Sequence, residues 1–354
     1  MRIVQLNPFH YPYMGGIEHR THEIARRLSS RHEIIVLTSR LPGTSEEETI
    51  DGYRVVRLPS RFVGKYNPPY IYTPGVLDAL ESLDADLVDF HYRWAPSYTR
   101  AMKRYPGRWM FTFHNTYGEG SGASRALSTV NDALFCRMIR DRRTVCVSEF
   151  VRNDLLAHGF REDLTEAVLL GVDMYDGPTS EEDLILFTGR LVSTKGLKYL
   201  IEAMQAVDTN LVVMGKGPEE ETLKALAKRL GVDSRVTFTG YVSEEEKVRL
   251  MSSCKVFVLP SLFESFGLAV AEAMTYGKPV VASNIGGLPE VVGDGGILVP
   301  PRSPAEIAAA LNRLLMDDEL RHDMGRRARE HIGKFSWDNI ALKMEQIYRK
   351  EVER

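Results

Sequence analysis

Short apolar runs alternate with longer amphipathic runs along the whole chain, and this alternation narrows the possible folds sharply. In the first half, Ile3–Leu6, Glu33–Thr38, Arg54–Leu58, Leu87–His91, Trp109–His114 and Thr144–Ser148 read as strands. Helices are expected over Ile17–Ser29 and Leu77–Ser82. Apolar runs this short and continuous suit strands buried on both faces, as in parallel sheets covered by helices. The pattern restarts after residue 180. Leu184–Thr188, Asn210–Met214, Val236–Thr239, Val256–Pro260, Pro279–Ala282 and Gly296–Val299 read as strands. Leu197–Ala206, Glu219–Leu230, Glu244–Ser252 and Leu268–Tyr276 read as helices between them. The polar stretch Met174–Asp183, with a Gly-Pro step, reads as a linker. At 354 residues, the chain exceeds the roughly 250–300 residues that one core supports. The expected class is therefore α/β, with two doubly wound domains facing each other across a cleft. Ligands of such sheets sit beyond the carboxyl ends of the strands.

Composition removes several classes. Hydrophobic residues are 44% and charged residues 26%, which excludes extensive disorder, collagen-like repeats and coiled coils. A net charge of -3 gives no whole-protein footprint for nucleic acid. Cys136, Cys146 and Cys254 form no C-x-x-C pair, so a disulfide scaffold or a zinc site of that type is not expected. A reducing, cytosolic compartment fits this usage. The first apolar run is too short for a signal peptide, and no stretch approaches the ~20 apolar residues that span a bilayer. Charge is unevenly placed: Phe90–Arg161 carries twelve Lys or Arg against five Asp or Glu. Arg100, Lys103, Arg104 and Arg108, then Arg137, Arg140, Arg142 and Arg143, supply much of the excess. Such a region suits an anionic membrane surface or an acidic substrate, or forms two solvated helix faces.

Four clusters follow strands and carry candidate chemistry. Glu264-Ser265-Phe266-Gly267-Leu268-Ala269-Val270-Ala271-Glu272 follows Val256–Pro260, and a helix starting near Phe266 would aim its first N–H groups at an anion. Glu272 is the single charged side chain of an otherwise apolar helix, so it needs donors, from ligand hydroxyls or from a neighbouring backbone or Arg. Gly189-Arg190-Leu191-Val192-Ser193-Thr194-Lys195-Gly196 follows Leu184–Thr188. A cation such as Lys195 at a helix start opposes the dipole unless an anion is bound, and Arg190 with Lys195 would bracket a diphosphate. Gly15-Gly16-Ile17-Glu18 lets backbone approach a phosphate or sugar, or makes a structural turn. His114-Asn115-Thr116 ends a strand, where His114 would face the cleft or act as a cap.

These motifs, with Gly171-Val172-Asp173 and Phe335-Ser336-Trp337, resemble the retaining nucleotide-sugar glycosyltransferases of family four (glycosyl transferases group 1) over nearly the whole chain. The Glu264…Glu272 pair is the most diagnostic part. The resemblance implies the GT-B architecture of two Rossmann-like domains. The first would span 1–174 together with the returning helix 337–354, and the second, nucleotide-sugar-binding domain 175–336. It implies that Glu272 bonds the donor ribose and Glu264 the donor sugar. The amides of Ser265, Phe266, Gly267 and Leu268 would meet the sugar and distal phosphate. Arg190, Lys195 and Gly189 would serve the diphosphate, with Gly15 and Gly16 approaching it from the first domain. Gly215, Tyr241 and Val242 would frame the nucleotide and base, and His114 would face the sugar near the reacting carbon. Leu170 departs from the family, which often has Asn before Gly-Val-Asp; this bears on acceptor or interdomain contacts.

The expected function is retaining transfer of a hexosyl group from a UDP or GDP sugar to a lipid-linked, polyprenyl-linked or sugar acceptor. No cofactor or metal is expected, and the setting would be cytoplasmic, with or without attachment to the inner face of a membrane. A nucleotide-sugar epimerase or a non-catalytic nucleotide-sugar binder remains open. Asp84-Ala85-Asp86 matches the D-x-D of metal-dependent transferases of another architecture but leads into the amino end of a strand. His19, His22 and Glu23 have helical ligand spacing without H-E-x-x-H and read as a solvated helix face. Gly215-Lys216-Gly217 lacks the third glycine of a dinucleotide fingerprint.

Overall fold

The computed structural model describes residues 1–13, 15–63, 70–114, 117 and 122–354. Backbone contacts divide it into Met1–Gly171 with Trp337–Arg354, and Val172–Ser336.

In the first unit β1 is Arg2–Leu6, α1 Gly16–Leu28, β2 Glu33–Ser39, β3 Glu47–Ile50 and β4 Tyr53–Leu58. A small hairpin follows, β5 Arg61–Val63 and β6 Tyr70–Tyr72, then α2 Val76–Ser82, β7 Leu87–Phe90, α3 Pro96–Arg104 and β8 Trp109–Phe113. Helix α4 (Gly122–Ile139), β9 (Thr144–Cys146), α5 (Glu149–Ala157) and β10 (Thr165–Ala167) complete the run. The main sheet has the order β10-β9-β8-β7-β1-β2-β4-β3. All its pairings are parallel except β3–β4. β1, β7 and β8 are buried almost throughout, as a sheet covered on both faces requires. β3, sequence EETI, is largely exposed, and its charges suit an edge strand that must not recruit another chain.

In the second unit β11 is Leu184–Thr188, α6 Leu197–Ala203, β12 Asn210–Met214, α7 Glu220–Arg229, β13 Val236–Gly240 and α8 Glu244–Ser253. Then come β14 Val256–Leu259, α9 Leu268–Thr275, β15 Val280–Ser283, α10 Leu288–Val292, β16 Gly296–Val299, α11 Pro304–Met316 and α12 Asp318–Ile332. The sheet order is β13-β12-β11-β14-β15-β16, all parallel. Both main sheets therefore start at a central strand, wind to one side, then cross over and wind to the other. This is the Rossmann winding, and its switch points are β1/β7 and β11/β14.

Helix α13, Trp337–Glu353, belongs to the first unit. Its buried Trp337, Ile340, Ala341, Met344, Ile347 and Tyr348 repeat at helical spacing and pack with Ile24, Ala25 and Leu28 of α1. A Cβ on Gly171 would collide with the Trp337 ring, so glycine there is a packing requirement. Residues 174–183 are not a free linker. Tyr175 stacks on Tyr276 at 4.1 Å, Lys278 donates to the Ser180 carbonyl at 2.9 Å, and Arg321 donates to Glu181. The polar composition there reflects ion pairs and backbone bonds to the second unit.

The helix α1 face read as solvated is largely buried. His22 and the Tyr53 hydroxyl are 2.7 Å apart, Glu23 accepts from Arg26 and Arg27, and the His19 ring meets Trp337 edge-on. Asp86 accepts from the Arg2 backbone N–H at 2.7 Å. Among the described residues no group of three metal-ligating side chains is found, and no helix is long and apolar enough to cross a membrane.

Candidate active site

Each unit presents expected site residues at its own switch point. In the second unit the loops after β11 and β14 lie side by side. The Leu262 N–H bonds the Thr194 carbonyl at 2.7 Å, and a Cβ on Gly196 would collide with the Pro260 carbonyl. This approach brings Lys195 Nζ to 2.6 Å from Glu264 Oε2. Ser261 Oγ stands 3.5 Å from the same oxygen. Both charged side chains are partly exposed. Lys195 sits in a single 3-10 turn, Ser193–Lys195, before the helix rather than in its first turn. Arg190 is exposed and has no side-chain partner among the described residues.

Helix α9 begins at Leu268, with Gly267 as its N-cap at φ 101°, later than the expected start near Phe266. The Phe266 ring is buried, so only its backbone can face a ligand, while Ser265 and Leu268 are half-buried. The first N–H groups of such a helix have no partner within it. Glu272 lies on α9 and forms an ion pair with Lys247 of α8. Its donor is thus a lysine, neither the ligand hydroxyl nor the backbone or Arg considered from sequence. Burial opposes the charge on Lys247, but Glu272 and then Glu244 outweigh it and raise its pKa.

Around the third and second strands, Gly215 N–H bonds the Gly240 carbonyl at 2.9 Å and Gly189 N–H the Met214 carbonyl at 3.0 Å. A Cβ on Gly215 would collide with the Gly189 carbonyl, so the two backbones approach closely at this end of the sheet. Tyr241 is 78% exposed with Lys216 Nζ 5.6 Å from its ring centre, and Val242 is half-buried beside it.

Two features escaped the sequence reading. Gly286 and Gly287 lie against the backbone of Glu264 and Ser265: Gly287 N–H bonds the Glu264 carbonyl at 3.1 Å, and a Cβ at either glycine would collide with that segment. Paired glycines after a strand were the available signal, as at Gly15-Gly16. Lys247 had no local signal, because its partner lies on the next helix.

In the first unit Gly15 caps α1, and a Cβ there would meet Glu18 Oε2 at 2.6 Å, whereas one on exposed Gly16 would meet nothing. Glu18 is buried; Asn7 Nδ2 donates to it at 3.1 Å. Burial raises its pKa, partly opposed by its own backbone N–H, Asn7 and Gly15. His114 is 8% exposed rather than open, with its Nε2 3.1 Å from His91 Nδ1. Burial, then His91, Arg20 and Arg93, hold it well below the usual imidazole pKa, so it is neutral. Asn115 and Thr116 lie outside the described residues.

The basic region divides. Arg142 lies over the Trp109 ring at 4.8 Å, and Arg143 pairs with Glu351 and the Asp163 carbonyl. Arg100, Lys103 and Arg104 on α3 have no ion-pair partner among the described residues.

Known proteins bear on this arrangement. The family model for glycosyl transferases group 1 matches residues 176–331, and that for glycosyltransferase family 4 matches residues 14–175. One uncharacterized glycosyltransferase of Methanocaldococcus jannaschii is 38% identical over 184 residues, 50% of this chain and 47% of that protein. The chain thus spans about half the length of that relative. Another from the same organism is 26% identical over 98% of this chain and 97% of its own. Sucrose-phosphate synthase from Thermosynechococcus elongatus shares the fold with a TM-score of 0.80 at 21% identity, covering 99% of each chain. Anabaena HepE, solved in complex with UDP-glucose, has a TM-score of 0.78 at 20% identity, covering 99% of this chain and 100% of its own. Two Rossmann-wound units, charged and glycine-lined loops at their strand ends, and two family models that together run from residue 14 to 331 give one result. The chain belongs to the group 1 glycosyltransferases, a family of transferase enzymes, and has the GT-B fold.

Proposed function

We propose that this chain transfers a hexosyl group from a UDP or GDP sugar to a lipid-linked, polyprenyl-linked or sugar acceptor, with retention at the anomeric carbon. The observation that carries this reading is the Lys195–Glu264 pair at the β11/β14 switch point, beside the N-terminus of α9. A departing nucleoside diphosphate builds negative charge on its distal phosphate. Lys195, Arg190 and the first amides of α9 would be the groups that meet it. Glu264 and Glu272, each held by a lysine, would accept from hydroxyls of the sugar and ribose. Gly189, Gly215, Tyr241 and Val242 would frame the nucleotide, and Gly15, Gly16 and His114 would serve the donor from the first unit. HepE, of the same fold, was solved with UDP-glucose, which supports a UDP sugar.

The acceptor would displace the diphosphate from its own face, the departing phosphate oxygen taking the acceptor proton. Glu264 is paired with Lys195 and stands 3.5 Å from Ser261 Oγ, and this route assigns it no nucleophilic role. Isolation of a glycosylated Glu264 during turnover would overturn this route. No cofactor enters it.

An open depression of about 650 Å³, lined by Trp94, Arg100, Lys103 and Arg104 among others, supports an anionic acceptor or membrane surface at α3. The test of the donor is a thermal-shift panel of UDP, GDP and ADP sugars run beside Glu272→Ala. A ligand at 100 times its Kd should stabilise by roughly 2.7 kcal/mol. Stabilisation by one donor class, lost in the variant, supports the reading; a flat panel removes it.

A further inference from the structure

In the first unit, a line of polar groups runs through the core to His114. Gln5 Nε2 stands 3.5 Å from the Tyr348 hydroxyl, which donates to Asp89 Oδ2 at 2.9 Å. Thr112 Oγ1 donates to Asp89 Oδ1 at 2.8 Å. His91 Nε2 lies 3.4 Å from Asp89 Oδ2, an ion-pair distance without hydrogen-bond geometry, so this buried nitrogen has no hydrogen-bond partner among the described residues; His91 Nδ1 lies 3.1 Å from His114 Nε2. Asp89, His91 and Tyr348 are fully or almost fully buried. Residues 89 and 91 are two apart where β7 ends, so both can project to one side of the sheet.

The polarity of this line follows from its members. The amide of Gln5 can only donate at Nε2, which leaves the Tyr348 hydroxyl proton for Asp89. Asp89, taking protons from Thr112 and Tyr348, is acceptor-only when ionised. The anionic carboxylate 3.4 Å away favours electrostatically the proton of a neutral His91 on Nε2, although the two do not form a hydrogen bond. Its Nδ1 is left bare and must accept. Both imidazoles are neutral: burial and then Arg20 push His91 down to about 3, and His114 is lowered as described. Each ring thus carries one proton. His114 Nδ1 has no partner among the described residues.

We propose that Asp89 and His91 are positioning residues that set the proton of His114. Asp89 keeps the His91 proton on Nε2, His91 Nδ1 accepts from His114 Nε2–H, and His114 Nδ1 stands as a bare acceptor for a donor-sugar hydroxyl. The last clause rests on the reading of His114 as a donor-facing residue. The assignment of the ring protons stands apart from it. Tyr348 extends the line into α13, so that helix serves the site as well as the core.

The experiment is 15N NMR of the full chain labelled at histidine, at pH 8, where Asp89 is ionised; its pKa, raised by burial, is about 7. Bare and protonated ring nitrogens have well-separated shifts, and His114→Gln identifies the resonances. The expected wild-type state is His114 protonated on Nε2 and bare on Nδ1. His91→Leu removes the acceptor and is expected to release this preference. His91→Asn, whose amide oxygen can accept in place of Nδ1, is expected to restore it. Asp89→Asn, which can turn an N–H toward His91, is expected to move the His114 proton toward Nδ1. Tyr348→Phe, a milder change, is expected to keep the wild-type state with Asp89 in place. A wild-type His114 protonated on Nδ1 would overturn the proposal. So would a His114 proton that stays on Nε2 in both His91→Leu and Asp89→Asn. Calorimetry with UDP-, GDP- and ADP-glucose, comparing wild type with His114→Ala, separates the two layers. Unchanged affinity and heat for the sugar that binds would remove His114 from the donor site while leaving the proton assignment intact.

Discussion

The carboxyl ends of the two sheets share a winding order and differ in chemistry. At β11/β14 the groups are charged and partly open to solvent: Lys195 with Glu264, and Lys247 with Glu272. At β1/β7 and the neighbouring end of β8 they are buried: neutral His91 and His114, and a Glu18 whose burial favours the protonated acid. The difference is one of solvation. A charged ligand can be met by side chains that keep part of their water. A ring whose task depends on a single proton must lose its water, because only a dry site fixes a tautomer through its neighbours. One winding order thus carries charged, partly hydrated groups at the strand ends of one sheet and dry, neutral ones at those of the other.

The contrast can be broken at its supports. Trp337→Ala removes the ring that fills the space above Gly171 and heads the α13 core stripe. It should cost about 3–5 kcal/mol in the first unit. Unfolding followed by a probe in each unit should then separate into two transitions, with the Val172–Ser336 unit keeping its wild-type midpoint. A single shifted transition would show that the units do not hold separate cores. Lys195→Met removes the cation paired with Glu264 at β11/β14. Turnover should fall roughly 100-fold, as when a preorganised transition-state donor is lost. The fall is expected in kcat more than in KM, measured by release of nucleoside diphosphate from the donor that the thermal panel identifies.

The third test uses pH. The folded-state pKa of Asp89 is raised by burial to about 7, above its unfolded value. Between the unfolded value and pH 7 the native state therefore binds more protons than the unfolded state. Its contribution to stability is full below the unfolded pKa and is lost as pH rises through 7. His91 and His114, lowered by burial, act in the opposite sense and lose stability as pH falls below their unfolded value. Asp89→Asn subtracts the first effect alone. Relative to the variant, wild type should lose up to about 1.4 kcal/mol per pH unit between pH 4 and 7 in urea titrations. Parallel curves would mean that Asp89 titrates normally. The smallest effect is expected at α3. Lys103→Gln should change stability by less than about 0.5 kcal/mol, since the side chain has no ion-pair partner among the described residues. Flotation with anionic vesicles at low salt should nevertheless weaken; unchanged flotation would take the membrane surface away from α3.

What could be read in advance followed the strength of local signals. Leu184–Thr188, Asn210–Met214 and Gly296–Val299 are strands with the bounds expected, because each is an apolar run with polar or turn residues beside it. Glu47–Ile50 was invisible, since EETI has no apolar alternation and becomes a strand only by pairing with β4. His22 and Glu23 were misread as solvated because Tyr53, which covers His22, lies on a strand far along the chain. Of the site, the glycines and Lys195, Glu264 and Glu272 were legible through motif and position. Lys247 and the Gly286-Gly287 cradle were not, being defined by what approaches them across space. Asp89 and His91 held a readable clue, an acidic residue and a histidine two apart at the end of a strand.

The return of α13 to the first unit carries a consequence for biosynthesis. The core of that unit requires residues 337–354, which follow the whole of Val172–Ser336 in the chain. The second unit is therefore fully synthesised before the first can close, although it starts later. Until then, the α1 surface around Ile24, Ala25 and Leu28 waits uncovered in the nascent polypeptide. That interval is where a chaperone that binds exposed apolar helices would find this protein.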